Sequence, residues 1–257
     1  MKRTLPVVCT IGTTDPTGAA GIGLDLAILP RLGVRAVFAI AAVSAQNSKR
    51  VARVDALPPA VITAQLRAIW EQVIPGAIRV GLLPKADGIA AVAKFLRGLR
   101  RRPPVIIDPV LAATSGHRFS GSTEIAALKK LFKLAELVTP NASEAAMLSG
   151  MAVRSVAEAA DAGRAIARAA GCAVLVKGGH LRGEICYDVL ADADGVVYIG
   201  TRRSSRRMRG TGCLLAAGIA AERARGASLH DAIAAARDLV ASALRDATPL
   251  GSGSAQL

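Results

Sequence analysis

The chain has 257 residues, 52% of them apolar, 20% charged and only 3% aromatic, with 33 Lys and Arg against 19 Asp and Glu for a formal charge of +14. That length suits one α/β domain built on a single large sheet. No apolar run approaches the roughly 18 uninterrupted residues of a membrane-spanning helix, and scarce aromatic rings leave few platforms on which single-stranded nucleic acid could stack. The basic residues are spread along the whole chain, so an arginine- and alanine-rich bias explains the charge more simply than a nucleic-acid surface does. The opening Met1-Lys2-Arg3-Thr4 leads into a strand-like run rather than a cleavable apolar leader, and a cytoplasmic protein is expected. Four cysteines, Cys9, Cys172, Cys186 and Cys213, lack metal-ligand spacing; Cys9 and Cys172 read as buried thiols.

From the N-terminus, residues 5–11 form the first short β-branched run, followed by Gly12 and a glycine-rich loop into a helical pattern over 20–32. A strand over 36–43 ends in Ser44-Ala45-Gln46-Asn47, and a helix over 58–73 opens on two prolines, which a first helical turn tolerates. Strand 77–82, helix 87–99 and strand 104–107 follow. The last of these delivers Asp108-Pro109-Val110 and a loop through Thr114-Ser115-Gly116 before a helix over 122–132. Strand 136–138 runs into Thr139-Pro140-Asn141, with Glu144 three residues beyond Asn141, then helices over 143–148 and 155–169. Strand 173–176 ends in Lys177-Gly178-Gly179-His180, and 185–190 with 196–199 form a hairpin. Two alanine-rich helices, 211–225 and 228–245, close a single domain over 1–247, and 248–257 is expected to be a disordered tail.

Short, uninterrupted apolar strands alternating with helices imply a three-layer fold with a mostly parallel central sheet and helices on both faces. In such folds ligands bind beyond the carboxyl ends of the strands, so the polar residues there carry the chemistry. No Walker pattern occurs. The loop from Gly12 to Asp25 either wraps a ligand with its glycines or is a plain strand–turn–helix connection. Gln46 and Asn47 offer donors and acceptors suited to an aminopyrimidine edge, or simply cap a turn. Asp108 and Glu144 could hold Mg²⁺ directly or through water, while Asn141 with Glu144 equally resembles a capping box. Lys177 is placed to reach a nucleotide phosphate, with Gly178 and Gly179 making room. Arg209-Gly210-Thr211-Gly212-Cys213 leads into a helix whose exposed amides suit a phosphoryl oxygen. The helix terminus is expected to lower the Cys213 thiol pKa, making it a candidate base; a buried cysteine in a glycine turn is the alternative.

Taken in order, Asp15-Pro16-Thr17-Gly18-Ala19-Ala20-Gly21-Ile22, Ala45-Gln46-Asn47, Asp108-Pro109-Val110, Thr139-Pro140-Asn141 with Glu144, Lys177-Gly178-Gly179-His180 and Gly210-Thr211-Gly212-Cys213 resemble the hydroxymethylpyrimidine/phosphomethylpyrimidine kinase family of the ribokinase-like superfamily. The resemblance implies a ribokinase-like fold, a homodimer, and ATP- and Mg²⁺-dependent phosphorylation of 4-amino-5-hydroxymethyl-2-methylpyrimidine, then of its monophosphate, in thiamine biosynthesis. It assigns Asp25, Gln46, Val110 and Gly12 to the pyrimidine, Asp108 and Glu144 to Mg²⁺, and Lys177, Asn141 and Thr211 to ATP. Gly210, Thr211 and Gly212 would form the anion hole, with Cys213 as base. The chain departs from the family in Arg209, where histidine is usual, in the basic stretch Arg202, Arg203, Arg206 and Arg207, and in a degenerate C-terminal glycine segment. A pyridoxine or pyridoxal kinase is the competing enzyme reading, and a non-catalytic ligand-binding relative the competing non-enzymatic one.

Overall fold

Alternation of side chains along each strand sends successive apolar residues to opposite faces of one sheet, and each face collects its own core. In the computed structural model, which describes residues 5–113, 116–250 and 254–256, the chain runs β1 (Val7–Thr13), α1 (Gly21–Arg31), β2 (Arg35–Gln46), β3 (Val51–Ala56), α2 (Pro59–Gln72), β4 (Ala77–Val80) and α3 (Ala86–Arg97). It continues through β5 (Val105–Ile107), α4 (Ser122–Phe132), β6 (Leu137–Val138), α5 (Ala142–Ser149), α6 (Val156–Ala170) and β7 (Ala173–Val176). A 3₁₀ turn (Gly178–His180), β8 (Ile185–Ala191), β9 (Val196–Arg202), α7 (Thr211–Ala224), α8 (Leu229–Asp246), β10 (Thr248–Pro249) and β11 (Ala255–Gln256) complete it. Of the residues singled out in the sequence, Met1 to Thr4, Thr114, Ser115 and the side chain of His180 lie outside the described residues.

The sheet order is β3-β2-β1-β4-β5-β6-β7-β8-β9. The pairs from β2 through β7 are parallel, and both edges turn antiparallel through β3 on one side and the β8–β9 hairpin on the other. Residues Cys9, Ile11, Ile78, Val80, Val105, Ile107, Val138, Val174 and Val176 pack against the layer of α2 to α6. Their neighbours Val8, Ala77, Ile106, Leu137, Ala173 and Leu175 pack against α1, α7 and α8. This is the three-layer, mostly parallel architecture expected from strand–helix alternation.

Local chemistry sets the boundaries. Ser155 and Glu158 exchange hydrogen bonds at the start of α6, and glycines in the left-handed region end α5 and α6 at Gly150 (φ 76°) and Gly171 (φ 68°). Two features differ from the sequence reading. Strand β3 was not expected; Val51-Ala52-Arg53-Val54-Asp55-Ala56 is a polar edge strand with no buried face, so its alternation is weak. The tail expected to be disordered forms, in its described part, the β10–β11 pairing, and Ala255 O accepts the Arg209 amide at 3.0 Å.

Candidate active site

The carboxyl ends of the parallel strands bring a line of charges together. Thr10 in β1 and Arg79 in β4 are register partners and face the α1/α7 layer. That orientation lets the Thr10 hydroxyl donate to Asp25 Oδ2 in α1, and it sets Arg79 Nη1 3.3 Å from the same oxygen. Arg79 Nη2 lies 3.5 Å from Asp108 Oδ2, just past β5, and Lys177, just past β7, donates from Nζ to Asp108 Oδ1 at 2.7 Å. Thr139 Oγ1 adds a 3.5 Å contact to the same Oδ1. Asp25, Arg79 and Asp108 are almost wholly removed from solvent.

Burial works against every charge in this row, and the partners decide the outcome. Burial pushes Asp108 up, but Lys177 and Arg79 outweigh it and the carboxyl sits below its ordinary value. Burial would lower Lys177, yet Asp108 and Glu144 carry it above its usual value. Asp25 is raised by burial, with Arg79 and Thr10 pulling against the shift. Asp25 Oδ1 and all three guanidinium nitrogens of Arg79 have no hydrogen-bond partner of good geometry among the described residues.

Helix α7 places its first turn on this row. Gly210 is its N-cap at φ 83°, and a Cβ there would stand 2.0 Å from Ala19 O, so only glycine fits. A Cβ on Gly212 would come 3.0 Å from Lys177 Nζ and 3.7 Å from Asp108 Oδ2, so the bare turn lies directly over the lysine–aspartate pair. The first bond within α7 runs from Leu214 N to Gly210 O, which leaves the Thr211, Gly212 and Cys213 amides without helical partners. Cys213 is half-buried and lies within the electrostatic reach of Arg79. The expected lowering of its thiol is not what the structure gives. Burial pushes the thiol above its ordinary value, with the Arg79 charge pulling against the shift.

Glu144 Oε2 accepts the Asn141 amide at 2.7 Å and Asn141 Oδ1 accepts the Glu144 amide at 2.9 Å, so the capping box is real and the Asn141 oxygen is committed to it. Burial pushes Glu144 up to about 7, with Lys177 drawing it down and Asp108 adding to the rise. Two carboxylates at one edge that feel each other's charge fit a small divalent cation that takes most of its shell from water and phosphate. No group of three or more His, Cys, Asp or Glu side chains forms a cage among the described residues.

Gly12 lies beside the Arg79 guanidinium. Val110 follows Asp108 and is half-buried, and Gln46 ends β2, half-buried, outside the row of charges. Its neighbour Asn47 caps the β2–β3 turn through Oδ1 and lines a cavity of about 210 Å³ with Thr17, Lys49, Arg209, Ser254 and Gln256. Arg209 reaches Asp15 Oδ2 at 3.1 Å and donates to Thr17 Oγ1 at 3.2 Å. In the basic stretch before it, Arg202, Arg206 and Arg207 are exposed, while Arg203 donates to the carbonyls of Gly183, Gly179 and Leu181 at 2.7, 2.8 and 2.6 Å and Arg206 to that of Arg245. Sequence reasoning missed Arg79. Its signal was present, a charged residue in a strand whose four positions are all buried.

The description "Phosphomethylpyrimidine kinase" belongs to the family model that matches residues 15–257. The hydroxymethylpyrimidine/phosphomethylpyrimidine kinase of Rhizobium meliloti is 37% identical over 250 residues, 96% of this chain and 93% of that one. A Bacillus subtilis pyridoxal kinase solved with ADP superposes with a TM-score of 0.90 at 28% identity, covering 98% of this chain and 97% of its own. The phosphomethylpyrimidine kinase of Clostridium difficile 630 gives 0.82 at 28% identity, covering 93% and 99%. The resemblance carried by the six ordered segments and the ribokinase-like fold are both borne out, and the chain belongs to the phosphomethylpyrimidine kinase family.

Proposed function

We propose that this kinase transfers the terminal phosphoryl group of ATP to the hydroxymethyl oxygen of 4-amino-5-hydroxymethyl-2-methylpyrimidine and then to the resulting monophosphate, in thiamine biosynthesis. The observation that carries this reading is the bare turn Gly210–Cys213 lying over the Lys177–Asp108 pair, with Cys213 at the edge of that pair. Phosphoryl transfer needs positioning and neutralisation of charge more than covalent chemistry from the protein, and this arrangement supplies both.

Asp25 offers its unpartnered Oδ1 to a ring donor, and Gly12, Gln46 and Val110 are the further pyrimidine contacts that the family resemblance assigns. Lys177 meets phosphate oxygens, as do the amides of Thr211 and Gly212, and Asn141 lies beside Lys177 through a parallel bridge. Cys213 takes the hydroxyl proton as the oxygen attacks phosphorus and ADP departs. Asp108 and Glu144 would hold Mg²⁺, which when bound neutralises phosphate charge. The enzyme works as a homodimer in the cytoplasm, where ATP is supplied.

The structural likeness to a pyridoxal kinase keeps a second reading in play, since pyridoxal also carries a hydroxymethyl group on a nitrogen heteroaromatic ring. Mass spectrometry of reactions with ATP, Mg²⁺ and either substrate decides between them. Mono- and diphosphate of the pyrimidine, formed with a higher kcat/KM than pyridoxal phosphate, is the expected result. Equal or better efficiency on pyridoxal overturns the choice of substrate, and binding without turnover would leave a non-catalytic relative.

A further inference from the structure

Arg79 is 1% exposed, carries a permanent charge, and has no hydrogen-bond partner of good geometry for any of its three nitrogens among the described residues. Buried polar groups are almost always hydrogen-bonded, and each exception calls for a reason. The chain also makes specific room for it. A Cβ on Gly81 would stand 2.1 Å from Arg79 Nη1 and 2.8 Å from Cζ, and one on Gly12 would touch Nη1 at 3.6 Å. Two strand ends are therefore bare where the guanidinium lies.

Its two forks face different carboxylates, Nη1 toward Asp25 and Nη2 toward Asp108. Asp108 has a second cation in Lys177, whereas Asp25 has only Arg79 as an ion-pair partner among the described residues. We propose that Arg79 is a positioning residue: its planar fork keeps Asp25 ionised and aimed, so that the free Asp25 Oδ1 receives a donor N–H of the substrate ring. A lysine carries the charge on one nitrogen, whereas the guanidinium sets a separate nitrogen 3.3 Å from Asp25 and another 3.5 Å from Asp108, so arginine and lysine are not equivalent here. A purely structural role, tying β4 to α1, predicts a different behaviour, because it would lower stability without singling out one substrate.

This inference rests on the assignment of Asp25 to the pyrimidine. The experiment is a cycle of Asp25→Asn, Arg79→Met and the double variant, with Arg79→Lys alongside. Pyrimidine affinity is measured by calorimetry and KM for ATP by steady-state assay. Asp25→Asn and Arg79→Met are each expected to weaken pyrimidine binding by about tenfold or more, as loss of a hydrogen bond to a charged group does, with the ATP KM nearly constant. The double variant should bind no more weakly than Asp25→Asn alone, because Arg79 acts through Asp25. Arg79→Lys should recover part of the affinity. Should Arg79→Met not fold, the double variant, which removes both charges of the pair, still makes the comparison with Asp25→Asn. Multiplicative losses in the double variant overturn the proposal, as do unchanged affinities in Arg79→Met and Arg79→Lys when Asp25→Asn is impaired. Unchanged affinity in Asp25→Asn itself removes that residue from the ring and the inference with it.

Discussion

At the scale of single residues, the proposed mechanism turns on Cys213. Its side chain is half-buried beside Arg79 and within the field of Asp108 and Asp25, and burial holds the thiol above its ordinary value. If Cys213 is the proposed base, a thiol raised in this way is mostly protonated at neutral pH, and its thiolate fraction grows as pH rises. The expected outcome is that kcat/KM for the pyrimidine climbs about tenfold per pH unit between pH 6 and 8, and a flat profile would remove the thiolate from the mechanism. Cys213→Ala is expected to cut kcat by about 10²- to 10⁴-fold while leaving the pyrimidine KM nearly unchanged, which steady-state kinetics will read. The candidate residues Asp25, Asp108, Lys177 and Cys213 were legible in the sequence because each follows a strand or lies in the first turns of a helix beside a glycine- or proline-marked turn. Arg79 was not, since a charge inside an apolar strand looks like a defect until its partners, 54 and 29 positions away in the chain, are seen beside it.

At the scale of elements, the segment after β7 is held by groups distant from it in sequence. Asp188 in β8 accepts the Gly178 amide at 2.7 Å and the Arg237 guanidinium from α8 at 2.9 Å, while Arg203 spans the carbonyls of residues 179–183. A Cβ on Gly178 would stand 1.8 Å from Tyr187 O, so the turn and β8 fit only with glycine there. The clamp fixes the backbone that follows Lys177. Arg203→Ala should therefore raise the ATP KM by about tenfold, the kind of loss that follows from misplacing a binding group, with little effect on the pyrimidine KM. Hydrogen exchange should quicken at residues 178–183 in the same variant and stay unchanged in β1 and β5. The arginines of this stretch read as excess charge in the sequence; three of them, Arg203, Arg206 and Arg209, have intramolecular partners.

For the whole molecule, two cores on opposite faces of one sheet cover the parallel strands on both sides, and in such folds ligands bind beyond the carboxyl ends. No helix among the described residues is long and apolar enough to cross a membrane. The β2–β3 edge carries Phe38 at 41% and Val43 at 48% exposure, apolar surface that supports the proposed homodimer. Light scattering behind size-exclusion chromatography is expected to give a mass near twice 26.3 kDa. A single-chain mass at micromolar concentration would sink that assignment.

Composition, apolar periodicity and turn residues determined the layered architecture, nearly every element, and the segments that converge on the site, because those signals are local and each strand end is marked by its own chemistry. The edge strand β3 escaped, since a half-exposed strand with Arg53 and Asp55 on it carries no strong period. What only the tertiary structure decided was electrostatic. Burial raised Cys213 where the helix terminus alone suggested the reverse, and Asp108 fell because Lys177 and Arg79 surround it. A charge's worth depends on the solvent it loses and the partners it meets, and both are set by contacts between residues far apart in the chain.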